Sequence, residues 1–164
     1  MWLDLRGVID QPGASAPFSY RLSLPDMAFP FGRPFAEPIE AVGGVTNTAG
    51  MLVLSATLTS TLHLTCDRCA EPYRAPLALP VEAVLAETVE GPSDDEILLI
   101  REDGIDLDEA LIPALILSMD AKHLCREDCR GLCPQCGRNL NEGPCACPPG
   151  DIDPRLAALK AFFT

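Results

Sequence analysis

The sequence predicts an α+β fold in which an antiparallel sheet carries one long hairpin, a buried helix packs on the sheet, and a cysteine-rich segment follows near the carboxyl end. Three observations carry this reading. A strict period-two apolar pattern runs from Met51 to Thr65 and resumes at Leu77, an acid-capped apolar run starts at Asp106, and six of the eight cysteines fall after Leu124. With 164 residues and 48% apolar side chains, the chain has material for about one domain with one buried core. Residues 1–164 are therefore read as a single domain: a sheet-plus-helix core over 1–120, a cysteine-rich segment over 121–148 and a terminal helix over 153–163.

Residues 1–50 are rich in turn formers, around Gln11-Pro12-Gly13, Phe29-Pro30-Phe31-Gly32 and Gly43-Gly44, and only Phe18 to Leu24 alternates as a strand does. From Met51 to Thr65 the alternation is strict. Leu52, Leu54, Ala56, Leu58, Leu62 and Leu64 share one face, and Ser55, Thr57, Thr59, Thr61, His63 and Thr65 the other, the signature of a long half-buried strand. After a break over 66–76, Leu77, Leu79, Val81, Ala83 and Leu85 resume the period toward Val89. Two such strands joined by one short reversal make an antiparallel pair whose tip carries Cys66-Asp67-Arg68-Cys69. Acidic Glu90 to Glu96 reads as a solvated loop and Ile97 to Ile100 as a short buried strand. Asp106 can cap a helix, with Glu109 three residues later completing a capping box. The run to Met119 is apolar nearly all round, which predicts a mostly buried helix kinked at Pro113. Asp153-Pro154 sets a cap and a first-turn proline, and Leu156, Leu159 and Phe163 form a stripe for a short docking helix.

Charge and termini narrow the functional classes. Twelve Lys plus Arg against 24 Asp plus Glu leave a net charge of −12, so the average field repels a polyanion and any nucleic-acid contact must be local. No apolar run approaches the ~20 residues of a membrane span. The amino terminus lacks the apolar core and cleavage site of a signal peptide, which makes the cytoplasm the expected compartment. Eight cysteines in such a compartment call for something other than a disulfide framework.

Their spacing supplies it. Zinc takes four soft ligands in a tetrahedron, and two thiols on one tight turn provide half the set from a single backbone segment. In Cys133-Pro134-Gln135-Cys136-Gly137 the proline fixes one dihedral and the glycine accepts positive φ, so the turn can curl its amides toward the sulfurs as a zinc knuckle does. Cys145 and Cys147 follow after a reversal over 139–144, and the first expected site is Cys133, Cys136, Cys145 and Cys147. A second would join Cys66 and Cys69 at the hairpin tip to Cys125 and Cys129, with His123 able to replace either of the latter; a single site shared by both regions, with spare thiols, is the alternative. One or two structural zinc ions are thus expected. Four thiolates leave no position for water, which argues against a catalytic metal. His63 lies on the polar face of a strand, and no phosphate loop or nucleophile elbow is present, so no catalytic residue is assigned and the chain is read as a non-enzyme.

Half of all positive side chains gather around these cysteines. Within residues 63–77 and 121–147, Arg68, Arg74, Lys122, Arg126, Arg130 and Arg138 give a balance of +1 against −13 for the rest of the chain. They form a candidate contact surface for RNA phosphates or an acidic protein face, or they merely offset the roughly −2 that each zinc–thiolate centre adds.

The hairpin-tip Cys66-Asp67-Arg68-Cys69 with Glu71-Pro72-Tyr73, the stretch from Leu124 through Cys125, Cys129, Cys133, Cys136 and Gly137, Asn139-Leu140-Asn141, and the terminal Asp153 to Leu159 together resemble the YceD family. The resemblance covers roughly residues 50–163. It implies a bacterial or organellar cytoplasmic factor that supports accumulation of 23S ribosomal RNA in large-subunit biogenesis, with an rRNA precursor or a large-subunit ribosomal or assembly protein as partner. Two other classes stay open: a thiol-based redox or metal-responsive regulator built on Cys66 and Cys69, and an acidic chaperone of a basic ribosomal protein.

Overall fold

A computed structural model describes residues 1–29, 31–88 and 97–148. The predicted terminal helix over 153–163 and the acidic stretch 90–96 lie outside the described residues. Five strands make the main sheet in the order β2-β3-β4-β5-β6: β2 (Ser15–Leu22), β3 (Ile39–Thr48), β4 (Met51–Thr65), β5 (Pro72–Ala86) and β6 (Ile97–Leu99). A small second sheet pairs β1 (Trp2–Asp4) with β7 (Gly104–Asp106), which leads directly into α1 (Leu107–Leu117).

The period-two pattern does what it predicts in β4. Leu52, Leu54, Ala56, Leu58, Leu62 and Leu64 are buried, and they join Phe18, Leu22, Ile39, Ala41, Val45, Val81 and Leu85 from the other strands and Leu107, Leu111 and Leu115 from α1 in one core. β4 and β5 pair antiparallel from Leu52 with Leu85 to Thr65 with Pro72. The sheet is therefore mostly antiparallel, but β6 pairs parallel to β5 and covers only Val84 to Ala86.

The structure corrects three expectations. β5 begins at Pro72 rather than Leu77, because Pro72, Pro76 and Pro80 recur every fourth residue and so share one backbone phase. A proline has no N–H to give the ladder, and that phase faces away from β4, toward the edge β6 leaves open. The same prolines discourage a further strand from adding there. β3 emerges from a segment that reads as turns. Gly43 in its middle sits so close to β4 that a Cβ would stand 2.3 Å from the Ser55 carbonyl oxygen, so the glycine marks a close strand approach and not a reversal. Finally, α1 buries one face only: Leu107, Ala110, Leu111 and Leu115 pack inward while Leu117 is 85% exposed. Asp106 caps it by accepting from the Asp108 amide at 2.9 Å. Glu109 turns instead toward Arg101, 3.7 Å away.

Asn47 is the polar residue most deeply set in the sheet. Its Nδ2 donates to the Val8 and Ile9 carbonyls, each at 2.8 Å, and its Oδ1 accepts from the Gly50 amide at 2.8 Å. One side chain thereby ties the loop after β1 to the β3–β4 turn, and burial of the amide is offset by its full set of partners. The sheet delivers the hairpin tip, residues 66–71, to the cysteine-rich segment 121–148, which holds no helix or named strand.

Candidate metal centre

Two CxxC turns of the same build carry the chemistry. At the hairpin tip the Cys66 amide donates to the Glu71 carbonyl and the Ala70 amide to the Cys66 carbonyl, both at 2.9 Å. In the carboxyl segment the Cys133 amide donates to the Arg138 carbonyl and the Gly137 amide to the Cys133 carbonyl, both at 2.8 Å. The residue after the second cysteine is left-handed in each, Gly137 at φ 72° and Ala70 at φ 58°. Glycine reaches that region freely, whereas alanine does so at a cost the surrounding structure must cover.

All eight cysteines are free, and they fall into two sets of four rather than one shared group. Cys66, Cys69, Cys125 and Cys129 form the first set and Cys133, Cys136, Cys145 and Cys147 the second, the sulfurs of each lying within 4.8 Å of one another. Sulfur–sulfur distances are 3.8 Å for Cys66 to Cys129, 3.7 Å for Cys69 to Cys125 and 3.4 Å for Cys145 to Cys133. A disulfide would need about 2.0 Å. Sulfurs bound at about 2.3 Å in a tetrahedron stand about 3.8 Å apart, so either set could hold one metal ion.

The two sets differ in shelter. Cys66, Cys69 and Cys129 are buried and form a small core with Tyr73 and Leu124; in the second set only Cys133 is buried and Cys136 is exposed. Burial pushes the Cys66 thiol up, but the amides of Cys125, Cys69 and Arg68 outweigh it and hold the group down at about 6. Burial and the adjacent sulfurs push Cys125 up to about 12. The Asn141 side chain is the main influence holding Cys129 down. In the second set the amides of Cys136 and Gln135 hold Cys133 at about 6, while neighbouring sulfurs, Cys136 foremost, push Cys147 up to about 12. A bound cation would offset the mutual repulsion of four thiolates and let them share one site.

His123 belongs to neither set. Its ring packs on Phe31 at 4.1 Å between centroids, and its Nε2 is buried without a hydrogen-bond partner among the described residues. The residue serves through its backbone: its amide donates to the Asp67 carboxylate at 2.6 Å and its carbonyl accepts from the Asp67 amide at 2.8 Å. His63 is likewise occupied, with Nε2 2.9 Å from Glu37.

The six basic residues are not equally free. Arg68 donates to the Glu127 and Cys129 carbonyls at 3.2 and 2.8 Å, locking the tip onto the cysteine segment. Arg74 pairs with Glu37 at 3.6 Å and Arg126 with Asp128 at 3.3 Å. Among the described residues Lys122, Arg130 and Arg138 make no ion pair. Asn141 and Asp67 make contacts that sequence reasoning did not assign to them; Asn139-Leu140-Asn141 reads as a reversal and as part of the family resemblance, and nothing in it signals a hydrogen bond to a sulfur.

Residues 54–163 match the family described as large ribosomal RNA subunit accumulation protein YceD. An uncharacterized protein of Mycobacterium tuberculosis is 36% identical over 102 residues, which cover 57% of this chain and 47% of that protein. A Zea mays protein named large ribosomal RNA subunit accumulation protein YCED homolog 1, chloroplastic, is 28% identical over 193 residues, covering 87% of this chain and 66% of that protein. The chain thus spans about half the length of the mycobacterial relative and 66% of the maize one. No solved structure matches.

Proposed function

The chain belongs to the YceD family, and from that membership we propose that it is a non-catalytic cytoplasmic factor of large-subunit biogenesis that supports 23S rRNA accumulation by binding an rRNA precursor or an assembly protein. Two structural zinc ions would build the binding face, one in each cysteine set. The observation that carries the reading is the join itself: four thiols drawn from the hairpin tip and the distant cysteine segment meet in one mostly buried set, with Lys122, Arg130 and Arg138, which make no ion pair among the described residues, on the same segment. Four sulfurs and no oxygen or imidazole donor suit zinc or an iron–sulfur cluster among biological metals, and zinc is favoured because nothing else in the chain suggests electron transfer. Closed four-sulfur sites, and a His63 ring already engaged with Glu37, support the non-catalytic assignment.

For RNA the contacting groups would be Lys122, Arg130 and Arg138, with Arg68 set deeper as a brace and Arg74 and Arg126 partly neutralised. The test is retention of 23S rRNA fragments by zinc-loaded protein over a salt series. Changing Lys122, Arg130 and Arg138 together to Glu should abolish retention at physiological salt, and each lost phosphate contact should flatten the log–log salt slope by about 0.7–0.9. Charge supports a second reading, in which the −13 carried outside the cysteine regions shields a basic ribosomal protein. In that case the triple variant retains its partner, and ribonuclease treatment does not release it.

A further inference from the structure

Asn141 sits on the loop between Cys136 and Cys145, inside the second cysteine set, yet its side chain serves the first. Its Nδ2 donates to the Cys129 sulfur at 3.3 Å and to the Asn139 Oδ1 at 2.8 Å. Its Oδ1 accepts from the Arg130 amide and from Arg126 Nη2, both at 2.8 Å. The loop is pinned by the Leu140 amide on the Gly131 carbonyl at 2.9 Å and by the bridge between Leu132 and Asn139. Both ends of this loop belong to the second set, so gathering that set draws the loop closed.

Resting on the metal reading above, we propose that Asn141 is a positioning residue through which the second metal site tightens the first: loading the exposed set closes the loop and delivers an N–H to the Cys129 thiolate. Hydrogen bonds to a ligating sulfur disperse its charge and fix its direction, and partners of this kind typically change metal affinity about 10–100-fold. The difference in shelter sets the order. The second set, with Cys136 exposed and Cys145 and Cys147 half-buried, exchanges its ion first; the first set, with three buried cysteines, holds its ion longer and is weakened once the second is empty. The pair therefore acts as a clamp with a metal-sensitive latch.

The experiment follows metal release from the loaded full chain into excess chromophoric chelator at neutral pH. The parent should release two equivalents in two phases of one each. Cys136→Ser should abolish the fast phase and speed the remaining one. Asn141→Asp, which keeps the acceptor for Arg130 and Arg126 but removes the donor, should leave the fast phase intact and accelerate the slow one about 10–100-fold. With cobalt(II) in place of zinc, Asn141→Asp should shift the sulfur-to-cobalt charge-transfer band, a change that loosened loop packing alone would not produce. The double variant should be no faster than the quicker single one, since both act through one contact. A slow phase unchanged in Asn141→Asp, or unchanged in Cys136→Ser, overturns the coupling while leaving two metal sites standing. A chain that takes up no metal defeats the metal-centre reading itself.

Discussion

Stripping metal from the first cysteine set should melt the cysteine segment and leave the sheet folded. Besides the contacts to sulfur, six hydrogen bonds tie residues 121–148 to the rest of the described chain: the reciprocal pair between Asp67 and His123, the Leu132 amide on Arg68, the two from Arg68 to Glu127 and Cys129, and Asn139 on Glu71. At about 0.5–1.5 kcal/mol net each they contribute about 3–9 kcal/mol. One structural zinc ion supplies about 10–16 kcal/mol, more than all six bonds together. The sheet has its own core, from Phe18 and Leu22 through Leu54 and Leu58 to Leu111 and Leu115, that includes no cysteine. Amide exchange by mass spectrometry, before and after chelation, is the assay. Residues 121–148 and the tip at 66–71 should lose protection, while the buried amides of β3 and β4 keep theirs. Uniform loss across the sheet would refute the separation of the two cores; unchanged protection of residues 121–148 in metal-free protein would refute the dependence on metal.

Two further outcomes follow from particular contacts. Gly43→Ala should lower the urea midpoint, because the new Cβ would meet the Ser55 oxygen at 2.3 Å and the Ala56 Cα at 2.6 Å, backbone atoms that can yield only by distorting the ladder; overpacking of this kind costs about 1–3 kcal/mol. The Glu37 carboxyl is held below its ordinary 4.5, first by the His63 ring at 2.9 Å and then by the Arg74 charge. A depressed carboxylate stabilises the fold above 4.5, and that contribution fades as pH falls through the lowered value; in His63→Ala, carboxyl NMR titration should find Glu37 raised toward its ordinary value.

Where one force governs a segment, the sequence alone reveals it. β4 is legible residue for residue because one face is buried along its whole length, and the cysteine spacing is legible because a CxxC turn is local chemistry. β3 is hidden because Gly43 and Gly44 answer to the approach of neighbouring strands, which no local pattern encodes. The exposed side of α1 is hidden for a related reason: Ile116 and Leu117 carry the same hydropathy as the buried Leu111 and Leu115, so apolarity cannot say which face meets the core. Asn141 is invisible in the sequence because its partner, Cys129, lies twelve residues away across a loop that no local pattern folds back.

Charge accounting then constrains how this surface can meet a partner. The side chains near the cysteines balance at +1, but two ions each held by four thiolates would bring about −2 apiece and leave the loaded region weakly acidic, as the rest of the chain is strongly. Long-range steering of a polyanion is therefore absent, and any RNA contact must come from cations presented at short range, where ionic screening and the average field matter less than fixed position. Fixed position is what the thiol sets supply: Lys122 and Arg130 lie on a segment whose ends are held by Asp67 and by Asn141. The Arg138 carbonyl accepts from the Cys133 amide within the second CxxC turn. Metal loss would leave these charges in number and scatter them in space, so binding should fail on chelation at constant net side-chain charge, a signature that separates a positioned contact from a merely basic patch.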